Sequence, residues 1–386
     1  MANKKLRVGI IGANYTLIAH SGAWRALPDV EIGAVCTAHQ ETAEQAAREF
    51  GIPKAYWDYR KMAEDKDLDI ITVGTKPSLR YDMVMSALEN GKHVYNCLPF
   101  AVNVQQARAM RDKQWEKGVV GVADAQFRWV PAIRRLKEMI AEGMLGDFYQ
   151  ATIHMQLPLL NYDGFVYPFC VQSEVQKPYH WLGDANSGGS AWRNFGSHTM
   201  LNLMYLFGEI EEVVGYMDTF CKEWKLTDGR TVRPQTPDIA MALLRFKKGG
   251  MANVNVSWST TDAAGYFLEV TGSRGRFVVR DPSFADAFSA TLYYGDSRKR
   301  DSTREIGSLV DIPGRLYEVP GTNYSKANCP PFFGTMAPFL HDMVRAIREG
   351  GEGSPSFNEA YHVHRAVEGV VRSLETKAWV RVDDVK

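Results

Sequence analysis

The sequence predicts an α/β protein: a doubly wound parallel sheet at the N-terminus, then an α+β domain with a large, open, mixed or antiparallel sheet. Over the first 125 residues, continuous apolar runs such as Leu6–Ile11 and Asp69–Val73 alternate with helical patterns, which is typical of βαβ units. After Arg128, strand-like runs such as Ile239–Phe246 and Met251–Ser259 follow one another with only turn signals between them. We therefore expect one domain over residues 1–125 and a second over residues 126–386.

The individual elements follow from apolar periodicity and from Gly- and Asn-rich boundaries. The predicted strands of the first domain are Leu6–Ile11, Glu31–Cys36, Asp69–Val73, Lys92–Asn96 and Val119–Ala123. The helices between them are Ala19–Leu27, Thr42–Phe50, Arg80–Asn90 and Val102–Lys117. In the second domain we expect helices over Pro131–Glu142, His198–Phe207, Met336–Glu349 and Asn358–Thr376, and strands over Phe148–Gln156, Ile239–Phe246, Met251–Ser259 and Tyr266–Thr271. Residues 281–332 are rich in Gly, Pro, Ser, Asp and Asn and are predicted to form long loops.

Composition excludes several classes of protein. The chain has 386 residues, with 45 Lys and Arg against 45 Asp and Glu, so no basic surface for nucleic acid is expected. No apolar run reaches the roughly 18 residues of a membrane span. The five cysteines are scattered and form no Cys-x-x-Cys pair, so we expect neither a disulfide framework nor a metal site. A cytoplasmic protein that binds a small molecule is the expectation.

Several segments occur in the order and spacing of a known family. They are RVGIIGA (7–13), ALPDVEIGAVC (26–36), ALENGKHVYNCLPFA (87–101), FRWVPAIRRLKEMIAEGMLGDF (127–148), SGGSAWRNFGSHTMLNLMYLFG (187–208) and VTGSRGRFVV (270–279). The chain thus resembles the Gfo/Idh/MocA family of nicotinamide-dependent oxidoreductases over nearly its whole length. This resemblance implies an N-terminal Rossmann domain that binds NAD or NADP. It also implies a substrate held between the domains, and dimers or tetramers formed through the C-terminal sheet.

The dinucleotide loop departs from the family pattern. The family has a G-x-G-x-x-G/A loop after the first strand, whereas residues 12–17 read Gly-Ala-Asn-Tyr-Thr-Leu, so Gly12 alone is kept. Asn14, Tyr15 and the following helix N-terminus are the remaining candidates for phosphate binding. No carboxylate ends the second strand, where Thr37 is the nearest candidate. Two alternatives remain: the domain binds NAD or NADP, or it keeps the Rossmann fold with an impaired or empty cofactor site.

The catalytic motifs are also altered. The family carries Glu-Lys-Pro after the fifth strand, and this chain has Cys97, Leu98 and Pro99 there. In the family's D-x-G-x-H-x-x-D motif, His198 is kept while Asn194 and Leu201 replace the acids. Neutral histidine can move a proton near pH 7, so His198 is the main catalytic candidate.

Other residues at positions that the motifs single out could assist His198 or hold the cofactor. Further catalytic candidates are Lys76, Tyr179 and His180. The cofactor candidates besides those above are Thr75, Lys76, Pro77 and Pro99. The aromatic stretch 162–195 suits a bulky aromatic or glycoside-like ligand, or else packing and a subunit interface. Its substrate-binding candidates are Phe165, Trp181, Trp192, Arg193 and Asn194.

Three functions are compatible with these residues. The first is an NAD(P)-dependent oxidoreductase with an atypical site. The second is a lyase or isomerase that reuses the scaffold to cleave a C–C or C–O bond of an aromatic compound, with His198 as acid or base; the two leucine replacements motivate it. The third is a non-catalytic dinucleotide sensor. A homodimer or homotetramer is expected in each case.

Overall fold

The structure is a computed structural model, and it describes residues 4–13, 16–157, 160–161, 164–165, 180–225, 231–260, 265–281, 289–298, 307–327 and 335–386. The chain divides into two compact units. The first contains the described residues up to Asp124 together with Val319–Tyr361, and the second contains those between Ala125 and Glu318 together with His362–Lys386. The sequence boundary after residue 125 had placed Val319–Tyr361 in the C-terminal domain.

The first unit is built on a six-stranded sheet whose paired strands all run parallel. Its strands are β1 (Leu6–Ile11), β2 (Val30–Cys36), β3 (Lys54–Tyr56), β4 (Ile70–Val73), β5 (His93–Asn96) and β6 (Gly121–Ala123), in the order β3-β2-β1-β4-β5-β6. Its helices are α1 (Ser21–Ala26), α2 (Gln40–Phe50), α3 (Tyr59–Glu64), α4 (Pro77–Glu89) and α5 (Val104–Lys117). The strand order reverses at β1 and β4, so the doubly wound prediction is confirmed.

Local sequence explains the limits of these elements. All four residues of β4 are buried, as expected of a parallel strand covered on both faces. The Asn103 side chain accepts a hydrogen bond from the Gln106 amide at 2.8 Å and so caps α5. The helix predicted from Ala19 instead begins as a π-helical turn over Thr16–His20, ahead of α1.

The second unit carries a nine-stranded mixed sheet. Its strands are β7 (Phe148–Gln156), β10 (Ile210–Asp218), β13 (Ile239–Phe246), β14 (Met251–Ser257), β15 (Gly265–Gly272), β16 (Gly275–Asp281), β17 (Thr291–Asp296), β18 (Ser308–Leu309) and β19 (Val380–Arg381), in the order β18-β17-β16-β15-β7-β14-β13-β10-β19. Only β7 and β14 pair in parallel. The short strands β8 (Leu160–Asn161), β9 (Gly164–Phe165), β11 (Trp224–Lys225) and β12 (Thr231–Val232) form two further hairpins. The open mixed sheet is thus confirmed.

The remaining helices are α6 (Pro131–Ala141), α7 (Ser197–Phe207), α8 (Met336–Glu349) and α9 (Phe357–Thr376). In the first unit α8 packs against α1, and the Phe357 ring contacts that of Phe100 edge-on at 4.9 Å. In the second, Phe148 stacks on Phe207 with ring centres 3.8 Å apart. No helix of the described residues is both long and apolar enough to cross a membrane.

One face of the second sheet carries exposed apolar side chains, with exposed Arg245 and Asn253 among them. Along β13 buried and exposed residues alternate, and Met241 and Leu243 point away from the core with about half of their surface exposed. Tyr216 of β10 lies opposite Met241, and Met251 of β14 is exposed next to them. We call these four residues, Tyr216, Met241, Leu243 and Met251, the open apolar face.

Candidate functional site

In the first unit, two glycines bring the turns after β1 and β4 close together. Gly12 has a φ of +107°, a conformation that favours glycine. A Cβ at Gly74 would lie 1.7 Å from Thr16 Oγ1, and that hydroxyl donates to the Gly74 carbonyl at 2.8 Å. This close backbone approach lies at the carboxyl edge of the sheet, where doubly wound folds bind dinucleotides. The residues present therefore fit a dinucleotide; Asn14 and Tyr15 lie outside the described residues.

The other cofactor candidates occupy the same edge of this sheet. Thr37, half-buried after β2, is engaged in a local turn: its hydroxyl donates to the His39 carbonyl at 2.9 Å and lies 2.6 Å from that of Thr42. Thr75 is half-buried, whereas Lys76 is exposed just before α4.

Two prolines complete this set. Pro77 is buried in the first turn of α4. Pro99, also buried, follows a cis peptide bond after Leu98. These placements test none of the assigned roles, which stay predictions.

A buried polar cluster that the sequence did not single out lies below this edge. Arg80 of α4 donates to the carbonyls of Thr75, Cys97 and Pro99. The His20 ring lies 4.9 Å from that of Tyr95. Burial, and next the charge on Arg80, lower the pKa of His20 to about 3. Its imidazole is therefore neutral at pH 7.

The thiol of Cys97 belongs to the same cluster. Burial and the carboxylate of Asp124 raise the pKa of Cys97 to about 12, so the thiol is protonated and unreactive. Ligand atoms of His20, Cys97 and Asp124 lie within 4.8 Å of one another. The guanidinium of Arg80 acts on His20 and Cys97 electrostatically and would oppose a cation there, so we assign no metal.

In the second unit, His198 lies in the first turn of α7 and is 8% exposed. Burial lowers its pKa to about 3, so the imidazole is neutral. Its Nδ1 is buried and has no hydrogen-bond partner among the described residues. The Phe127 ring meets the imidazole edge-on at 4.9 Å. A buried nitrogen of this kind has hydrogen-bonding capacity that the described residues leave unused.

Two further polar residues of this region were missed by the sequence analysis. Asn202 lies four residues after His198 and hence on the same face of α7. Its Nδ2 donates to the Tyr266 hydroxyl at 3.1 Å, and its Oδ1 is buried with no partner in the described part of the chain. Burial raises the pKa of Tyr266, so its phenol stays protonated. The i, i+4 spacing from His198 to Asn202 was the available sequence signal; nothing local indicated Tyr266.

The substrate-binding candidates have different surroundings. Trp192 is completely buried and its indole nitrogen donates to the Val367 carbonyl at 2.9 Å, which favours packing over ligand contact. Arg193 is held by Glu368 through two hydrogen bonds of 2.9 Å. Asn194 is buried, and Trp181 is half-buried.

Three of the catalytic and substrate-binding candidates lie wholly or in part outside the described residues. Tyr179 lies outside the described residues, and the side chains of Phe165 and His180 do as well. The leucines that replace the family's ionisable groups, Leu98 and Leu201, are both buried.

Comparison with known proteins agrees with these observations. Residues 6–124 match the family model described as an oxidoreductase family with an NAD-binding Rossmann fold, and residues 133–278 match the GFO/IDH/MocA C-terminal domain. The two models together cover more than half of the chain. Levoglucosan dehydrogenase of Pseudarthrobacter phenanthrenivorans is 27% identical over an alignment that covers 99% of each chain. Myo-inositol 2-dehydrogenase of Thermotoga maritima is 22% identical over 78% of this chain and 85% of its own.

Solved structures show the same fold. A levoglucosan dehydrogenase in complex with NADH superposes with a TM-score of 0.83 at 24% identity, covering 98% of this chain and 99% of that one. An NAD binding oxidoreductase from Klebsiella pneumoniae gives 0.82 at 24% identity, with the same coverage. The fold of both units is thereby established.

Proposed function

The chain belongs to the GFO/IDH/MocA family of NAD-dependent oxidoreductases, and on that premise we propose that it oxidises a secondary alcohol on a bulky, glycoside-like ring compound. The observation that carries this proposal is His198, a neutral buried imidazole with an unused Nδ1, beside the ring of Phe127. A substrate hydroxyl that donates to this imidazole would satisfy it. The similarity to levoglucosan dehydrogenase supports a carbohydrate ring as the substrate class.

The residues of this chain have defined roles in this proposal. When bound, a dinucleotide would accept the hydride that leaves the carbinol carbon. Gly12 and Gly74 let the backbone hold its phosphates. His198 accepts the hydrogen bond of the reacting hydroxyl and takes its proton as the carbon–oxygen double bond forms. Burial lowers the pKa of His198 to about 3, so the imidazole is neutral at pH 7 and can accept this hydrogen bond.

A direct experiment separates the three functions. We expect NADH or NADPH to quench the tryptophan fluorescence of the purified protein in a saturable way, and a panel of sugars and glycosides to give NAD(P)H absorbance at 340 nm. Lack of binding of either coenzyme at millimolar concentration would contradict the proposal. Product formed from an aromatic substrate without net reduction of coenzyme would instead identify a lyase or isomerase. Binding without any turnover would identify a sensor.

We also propose that the protein is a homodimer or homotetramer held together through the open apolar face. A cluster of four exposed apolar side chains on one sheet is unusual for a surface that faces water. Replacing Met241 and Leu243 by glutamate should convert the oligomer to monomer, because like charges would then be buried together. Light scattering during gel filtration measures the mass. The matched control is the double variant Trp57→Glu, Trp115→Glu. Both residues are exposed and belong to the first unit, so the mass of the oligomer should not change.

A cytoplasmic location stays a prediction, which rests on the scattered cysteines of the sequence.

A further inference from the structure

Arg80 is a buried cation with an unusual set of partners. It lies in the first half of α4 and is 3% exposed. Its Nη1 donates to the carbonyl oxygens of Cys97 and Pro99, both at 2.6 Å, and its Nε donates to the carbonyl of Thr75. A charged group this deep is costly unless its donors have partners, and here three backbone carbonyls accept from Nε and Nη1. The bonds therefore join α4 to two separate loops.

These loops belong to neighbouring strands. Thr75 follows β4, whereas Cys97 and Pro99 follow β5, and the two strands pair in parallel. Both loops therefore leave the same carboxyl edge of the sheet, the edge that also carries Gly12 and Gly74. The guanidinium is planar and its donors have fixed directions, so it sets the spacing of the loops more rigidly than an ammonium could.

A second buried cation provides a comparison within the same sheet. Lys92 is 7% exposed, and its Nζ donates to the carbonyls of Asp65 and Leu68, both at 2.7 Å. It immediately precedes β5, and its partners precede β4, so it ties the amino edge of the same two strands. Lys92 and Arg80 thus perform similar structural tasks at opposite edges, and only the edge of Arg80 carries the dinucleotide candidates.

We propose that Arg80 is a positioning residue for the dinucleotide, which fixes the loops at 74–77 and 97–99 in the conformation that binds the coenzyme. This inference rests on the proposed function. It does not require Arg80 to touch the coenzyme, because the side chain is buried and its donors point to the backbone. Loss of Arg80 should therefore weaken coenzyme binding strongly, whereas a variant with a similar loss of stability elsewhere in this sheet should not.

The test compares Arg80→Met and Arg80→Lys with Lys92→Met in the full-length protein. Thermal unfolding measures stability, and quenching of tryptophan fluorescence gives the dissociation constant for NADH. We expect all three variants to lower the melting temperature. Arg80→Met should raise the dissociation constant at least about tenfold and Arg80→Lys by less, since lysine can replace only part of the bonding. Lys92→Met should stay within about twofold of the wild type. If Arg80→Met does not fold, the dissociation constant of Arg80→Lys for NADH decides the test.

Two results would overturn the inference. One is unchanged NADH affinity in the folded Arg80 variants while the wild type binds. The other is equal weakening in Lys92→Met, which would make the effect one of general stability. A wild type that binds neither NADH nor NADPH is a different result, because it refutes the proposed function itself.

Discussion

Replacement of His198 by alanine is expected to lower kcat about 10²–10⁴-fold on the substrate identified by coenzyme reduction, while the dissociation constant for NADH stays the same. The imidazole is the one ionisable group retained from the two catalytic motifs, since Leu98 and Leu201 can neither donate nor accept a proton. Steady-state kinetics and a coenzyme titration of the same preparation measure the two quantities separately.

The control for this variant is His341→Ala. His341 lies on α8, a helix that carries none of the catalytic, cofactor or substrate candidates, so kcat should not change. The low pKa of His198 leads to a second expectation. The imidazole is neutral throughout pH 5–8, so a plot of kcat against pH should show no titration of His198 in that range. A kcat within threefold of wild type in His198→Ala would exclude it as the acid–base residue.

Acidification is expected to destabilise the protein steeply below about pH 6.5. His20 and His198 have folded pKa values of about 3, against an unfolded value near 6.5. Between these values the unfolded chain binds more protons than the folded one. The contribution of these two histidines to the free energy of unfolding is therefore fully present above pH 6.5. It is lost as the pH falls toward 3, by up to about 1.4 kcal/mol per pH unit for each histidine.

Urea unfolding at pH 7.5, 6.5, 5.5 and 4.5 measures this slope. Burial also lowers the pKa of a further group of histidines, which add to it: His93, His154, His341 and His362. His198→Phe removes one of these titrating groups without leaving a void and should reduce the slope. Stability that stays constant down to pH 4.5 would show that these imidazoles reach water in the folded state.

The strands that sequence alone predicted well are those buried on both faces. The runs at β1 and β4 are continuous and apolar because parallel strands are covered on each side. By contrast β3 has three half-buried residues and no clear period, and it was missed together with α3. The prediction of loops over residues 281–332 was wrong for β17, where half-buried Tyr293 and Tyr294 pair with β16 although polar and glycine residues surround the strand.

The site was less predictable than the fold because its contacts are tertiary. His198 was identified by its motif, but Tyr266 lies 64 residues after Asn202 and reaches α7 only because β15 packs in the same unit. The sequence analysis predicted Arg80 only as the first residue of a helix. Its role depends on carbonyls 17 and 19 residues away, and backbone acceptors leave no mark in a sequence.

The altered glycine loop limits which substitutions this chain tolerates at position 17. Leu17 stands where the family has its third glycine, and it is completely buried in the π-helical turn after β1. Restoring glycine there would empty a filled site, at a cost of the order of 2–5 kcal/mol for a leucine, and would loosen the turn as well. The glycine of the family motif would therefore need compensating substitutions around position 17 before this chain could accommodate it.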